Sequence, residues 1–282
     1  MTVIRSIATI ALATTALAAA APAAAVVETF ATFSALTSAA NIRFVNSGNS
    51  LSASRTTDAV IYSTATGTAT TPGSVDVRFS FLQSAFVTQP AVQDIIAKFT
   101  FNASVARGNP ITTTGAGSKI SFDQPVTTGS FSFLTTKAIT VTTPNFVTKT
   151  YAIGSNLLSG TFTDGDITGK LKGTSGGLDA STSSDSVITY TSDFLNFAGT
   201  LDRDLGMTFT SVTSSFSKNA GLNNALSAFR TNASGQFSTD PAPIIPGLVI
   251  VPEPAVWSLF VVGFGLIGFQ TRRRVRSKIV SA

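Results

Sequence analysis

Val75-Asp76-Val77-Arg78-Phe79-Ser80-Phe81 alternates apolar and polar residues without a break. An extended chain turns successive side chains to opposite faces, so Val75, Val77, Phe79 and Phe81 share one face and Asp76, Arg78 and Ser80 the other. The same period of two recurs at Phe99, Phe101, Ala103 and Val105, at Ile120 and Phe122, at Phe131 and Phe133, and at Ile139 and Val141. Phe162, Ile167 and Leu171, then Val187, Ile188 and Tyr190, then Met207 and Phe209, and finally Phe237 mark later strands. The outward positions are mostly Ser and Thr, and threonine's branched Cβ suits a pleated surface. Gly and Asn punctuate the runs at 46–49, 71–73, 108–110, 115–117, 164–166 and 173–177, where turns are expected. Two short helices are predicted, over Pro90–Lys98 (Val92, Ile95, Ile96) and Asn219–Phe229 (Leu222, Leu226, Phe229). Short strands with frequent turn signals predict a mainly β protein, a β-sandwich of jelly-roll type. A β-solenoid is the alternative, and the lack of a clean repeat of fixed period argues against it.

Composition narrows the chemistry. The chain of 282 residues has 19 Lys and Arg against 14 Asp and Glu. Arg5 and five residues near the C-terminus account for six of those bases, and Glu253 for one acid. The 226 residues from Val26 to Val251 therefore carry 13 of each, and the basic excess gives no reason to expect nucleic acid as a partner. With no Cys, stability has to come from the core. With no His, a Ser-His-Asp triad, a Cys-His pair and every histidine-ligated metal site are excluded together. Nineteen of the 22 phenylalanines lie between Val26 and Val251 and are expected to dominate the core.

Both ends read as addresses. Arg5 is followed by an apolar run from Ile7 to Ala21 and by Ala23-Ala24-Ala25, the pattern of a secretory signal peptide cut after Ala25, with Ala21 as the alternative. Near the other end, Asp240-Pro-Ala-Pro-Ile-Ile-Pro predicts a stiff spacer over 240–251. Pro252-Glu253-Pro254 comes next, with Trp257 three residues on. An apolar stretch, Ala255 to Phe269, contains Phe260, Gly263, Phe264, Gly265 and Gly268. Arg272, Arg273, Arg274, Arg276 and Lys278 follow it. As a helix that stretch spans roughly 22 Å, short for a bilayer core of about 30 Å, and Gln270, Thr271 and the arginines extend it toward the headgroups. The basic residues would hold the C-terminus on the cytoplasmic side and leave the body outside. A buried core helix would not normally end in such a cluster.

The order Pro-Glu-Pro, Trp, Gly-Phe-Gly segment, arginine run resembles the PEP-CTERM sorting domain of bacterial exported proteins, in the variant with Trp after the motif. The resemblance covers 252–282 and departs at Ser258, where Ala is usual. It implies recognition by a membrane-embedded exosortase at Pro252, Glu253 and Pro254. The domain plan is thus a signal peptide over 1–25, a β-rich exported domain over 26–239, a spacer over 240–251 and a sorting domain over 252–282 with a short transmembrane helix.

Little in the body points to chemistry. Asp164-Gly165-Asp166 resembles the start of a Ca²⁺ loop, but Ser175 stands where the loop needs its Glu, so a turn between strands is expected. Asp202-Arg203-Asp204 puts two carboxylates two residues apart, the raw material of a glycosidase, but a self-paired surface loop is the expectation. Tyr62, Tyr151 and Tyr190 are candidate elements of a sugar-binding face. Asn102-Ala103-Ser104 and Asn232-Ala233-Ser234 match the glycosylation pattern, which arises often by chance. No cofactor is implied. The leading expectation is a non-catalytic cell-surface or matrix protein that meets signal peptidase, exosortase, the membrane and extracellular polysaccharide. The alternatives are a secreted polysaccharide hydrolase or lyase working with carboxylates, and an uncleaved single-pass membrane protein.

Overall fold

The structure, a computed structural model, describes residues 27–46, 57–63, 72–83, 86, 89–106, 109–116, 120–142, 147–219 and 224–246. The signal peptide, residues 247–251 and the whole sorting domain lie outside the described residues. Within them the chain is mainly β, with fourteen strands: β1 (Glu28–Ala35), β2 (Ile42–Asn46), β3 (Thr57–Ser63), β4 (Val75–Phe81), β5 (Ile95–Ala106), β6 (Thr112–Thr114), β7 (Ser121–Thr135), β8 (Ile139–Thr142), β9 (Thr148–Tyr151), β10 (Asn156–Lys170), β11 (Gly176–Ser181), β12 (Ile188–Thr191), β13 (Asp202–Thr213) and β14 (Phe229–Asp240).

Backbone pairing closes this sheet on itself. β1 pairs β4, β4 pairs β5, β5 pairs β7 and β7 pairs β10, all antiparallel. The circuit continues through β11, β13 and β14, and β14 returns to β1. Four of its staves are interrupted. β2 continues the line of β1 along β14, β3 precedes β4 along β5, β6 follows β5 along β7, and β12 follows β11 along β10. The result is an up-and-down barrel of eight staves in chain order. It replaces the expected jelly-roll sandwich, which needs strands that skip their neighbours, and the solenoid, which needs parallel stacking.

Each stave turns its apolar set inward. In β4 the four apolar residues are buried and Asp76 and Arg78 exposed. The largest fully buried side chains are all phenylalanines, and they explain why the lumen is filled: an eight-stave interior is just wide enough for side chains. Phe133 meets Phe99 at 4.8 Å, Phe79 at 5.0 Å and Phe33 at 5.1 Å between ring centroids. Phe237 meets Phe131 at 4.9 Å from the other side. Rings close both ends. Phe86, Tyr151, Phe194 and Phe197 cover the end where β1 starts and β14 finishes, with Tyr151 stacked on Phe194 at 3.8 Å. At the opposite end Phe216 packs on Phe122 at 4.9 Å and on Phe229 at 5.0 Å. An apolar interior under a hydroxyl-rich exterior is the inverse of an outer-membrane barrel. Among the described residues no helix is long and apolar enough to cross a membrane.

Three local expectations are corrected. Pro90–Lys98 is not a helix: a single 3-10 turn, Pro90–Val92, leads straight into β5. Ile95, Ala97, Phe99 and Phe101 are buried in alternation and Ile96 is exposed, so the period of two starts at Ile95 and overrides the helical spacing. The described part of Asn219–Phe229 is also non-helical, with Leu226 bridged to Lys218 and β14 starting at Phe229. Asp164–Asp166 is no turn between strands but the middle of the 15-residue β10. Asp164 takes a φ of 53° there. Phe162 and Ile167 both face the core on either side of it, so the strand changes phase at Asp164 and the barrel wall bends.

The Pro-rich segment also begins differently. Residues 241–246 pack on the ring-covered end instead of projecting from it. Asn196 and Ile244 exchange backbone hydrogen bonds of 2.7 and 2.9 Å, the Gln83 amide donates to the Pro243 carbonyl, and Ile245 is buried.

Candidate functional site

With the lumen filled, the functional surface has to be sought on the outside of the barrel. Register places Asp166, Asp179, Gly206, Gln236, Thr32 and Ser80 in one outward row across β10, β11, β13, β14, β1 and β4. The next row carries Thr168, Gly177, Thr208 and Ser234, and beyond them Ser34 opposite Arg78. Where Gly206 supplies no side chain the surface sinks into a trough of about 450 Å³. Its walls carry Asp179 on one side and Arg78 and Asp94 on the other, with Gln236 between, and Phe33 and Met207 lie beneath.

Beside the trough the acids crowd together. Asp166 is directly opposite Asp179 and diagonal to Asp123, whose own partner across the ladder is Thr168. Partial burial first, then the Asp123 carboxylate and a hydrogen bond that the protonated Asp166 donates to it, then Asp179 and Asp164, push Asp166 up to about 6. Desolvation raises Asp179 in the same direction, although that side chain as a whole stays exposed. One Asp123 oxygen is enclosed without a hydrogen-bond partner. Among the described residues no group of three or more His, Cys, Asp or Glu side chains is arranged to hold a metal ion.

The cluster has a testable consequence for stability. The folded state holds Asp166's proton up to about pH 6, whereas the unfolded chain releases it near 3.8. The folded state therefore binds more protons in that window, and stability falls as pH rises through it. Asp166→Asn should stabilise the fold at pH 8 by about 1 kcal/mol once solvent screening is allowed for, read as a higher urea midpoint, and change little at pH 4. Equal effects at both pH values would remove the carboxylate repulsion as the cause.

No protein-family model, curated protein or solved structure matches this chain. Its surface has to be read from the geometry alone.

The other sequence candidates scatter. Asp202 and Asp204 open β13, and Arg203 between them pairs with neither. Its guanidinium instead donates to the Ile188 carbonyl at 2.8 Å and to Thr200. Between β12 and β13, which share no ladder, Arg203 donates to the Ile188 carbonyl and the Tyr190 hydroxyl donates to the Asp204 carbonyl at 2.5 Å. Tyr62, Tyr151 and Tyr190 are all buried, so they form core and cap and offer no face to a sugar. Asn102 and Asn232 lie in β5 and β14, with Asn232 donating to the Thr37 carbonyl at 2.8 Å. The sorting and cleavage residues, Ala23, Ala25 and Pro252 to Lys278, lie outside the described residues. In the sequence the trough has one local sign, Gly206 at an outward position inside a strand pattern.

Proposed function

We propose that this chain is an exported bacterial cell-surface or extracellular-matrix protein, non-catalytic, sorted through a PEP-CTERM signal by an exosortase after signal peptidase removes residues 1–25. The observation that carries the reading is the ordered tail, Pro252-Glu253-Pro254, Trp257, the apolar Gly-Phe-Gly stretch and the Arg272–Lys278 cluster. A barrel packed solid with phenylalanine rings and faced with hydroxyls fits it, because such a body needs neither disulfide nor metal to persist outside the cell.

The docked segment 241–246 adds a constraint. Proteases generally bind extended, accessible chain, and residues through Ile245 are held by the barrel. Processing should therefore leave a mature C-terminus between 247 and 254. Intact mass of the protein recovered from its native host, by cell fraction, tests both ends at once. The expected species begins at Val26, ends in that window and is found in the surface or medium fraction. A full-length C-terminus in the membrane fraction overturns the sorting reading and makes the tail an ordinary single-pass anchor.

A second reading has one observation in its favour. Asp166, held near 6 beside Asp123 and Asp179, has the protonation behaviour of a general acid next to a carboxylate. Release of reducing ends from polysaccharide by the wild type, lost in Asp166→Asn, would favour a carboxylate hydrolase over the non-catalytic reading.

A further inference from the structure

We infer that the trough across β11, β13, β14, β1 and β4 is a binding site for an uncharged polysaccharide chain. The inference rests on the surface-protein reading only for where such a chain is met; the site itself rests on the barrel's outer face.

Shape is the first argument. Gly206 lies between Asp179 and Gln236 in the outward row, and a Cβ there would sit 3.4 Å from the Asp179 carboxyl and 3.7 Å from Gln236. The residues that line the trough run from β11 to β4, a path of four strand spacings, roughly 19 Å. That is a track for an extended chain and not a pit for a small molecule.

The walls give the chemistry. Asp179 accepts hydrogen bonds through two oxygens, Arg78 donates through a planar fork, and Gln236 does both from the middle. Planar groups that bond through two atoms match neighbouring hydroxyls on a sugar ring, and the Thr32 and Ser34 hydroxyls extend the same vocabulary. Charge then chooses among polysaccharides. Asp179 faces Arg78 across the trough, Asp94 stands on the Arg78 side, and Asp166 stands behind Asp179 in the same row, so acids outnumber bases. A uronate-bearing chain would bring like charge to that row and be repelled. An amine-bearing chain would be drawn by the same acids but would set some of its cations against Arg78, so retention in chitosan is the competing outcome of the test.

The test is retardation of the exported protein, produced from the full-length chain, in native gels cast with mixed-linkage β-glucan, galactomannan, alginate or chitosan. Retention in a neutral gel and none in alginate is expected. Arg78→Ala and Gln236→Ala, both at exposed positions, should weaken retention about five-fold each. Gly206→Tyr should abolish it by filling the floor. Ile153→Tyr, at an exposed position on the β9–β10 connection, should leave it unchanged. Far-UV circular dichroism checks that each variant is folded, and the two alanine variants carry the test if the tyrosine does not fold. No retention in either neutral gel, retention indifferent to all three trough variants, or stronger retention in alginate or chitosan overturns the inference. Correct processing and surface location with no retention would defeat the trough alone; retention by a protein that stays full-length in the membrane would defeat the sorting reading alone.

Discussion

Phe133→Ala should cost about 3–5 kcal/mol, the largest loss expected from any single truncation in this barrel. The ring is fully buried on β7 and touches rings from four other staves: Phe33 on β1, Phe79 on β4, Phe99 on β5 and Phe237 on β14. Removing it opens a void at the one point where those staves converge, and rings held by their own ladders have little freedom to collapse into it. Since a domain's whole stability is about 5–15 kcal/mol, the variant should unfold at a much lower urea concentration. An equilibrium urea titration followed by far-UV circular dichroism measures it. A loss below about 1 kcal/mol would mean that the five rings do not meet in one closed lumen.

Gly160→Ala is the second large effect, and it acts through the backbone. An added Cβ would lie 2.2 Å from the Thr189 carbonyl oxygen and 2.8 Å from the Phe131 ring. Gly160 pairs with Tyr190, so relief means parting β10 from β12. That would also strain the Tyr190 hydrogen bond that spans the gap to β13. We expect a loss of more than about 2 kcal/mol, in the range of overpacked cores. Gly206→Ala is the control, because its Cβ meets nothing closer than 3.4 Å and should change stability by less than about 0.5 kcal/mol. Equal effects at the two glycines would refute the proposed register of β12 on β10.

The strands were legible because each carries its own alternation. In Val75–Phe81 and Phe99–Val105 the apolar positions are buried and the alternate ones exposed or half-buried, where their period of two puts them. The Pro90–Lys98 error arose where a short apolar cluster fits both periods, and the continuing alternation after Ile95 was the better guide. Asp164-Gly165-Asp166 reads as a turn from composition, yet the chain there only kinks, because thirteen ladder partners on β7 hold β10 extended on either side. Closure was not legible at all. It depends on β14 meeting β1, some two hundred residues apart in sequence, and no local pattern encodes which strands pair at that range. The trough was hidden for the same reason. Asp179, Gly206, Gln236 and Arg78 become neighbours only once four separate registers are known.

The circuit from β1 back to β1 has a consequence for crowding. A sheet with open margins presents unpaired N–H and C=O groups that a neighbouring copy can extend, which is how many β proteins polymerise. Here the main ladder consumes those groups internally, and among the described residues open margins are left mainly to short pieces such as β6 and the β8–β9 hairpin. Copies of the barrel brought close together would therefore meet through hydroxyls and scattered charges more readily than by strand addition along the described ladder.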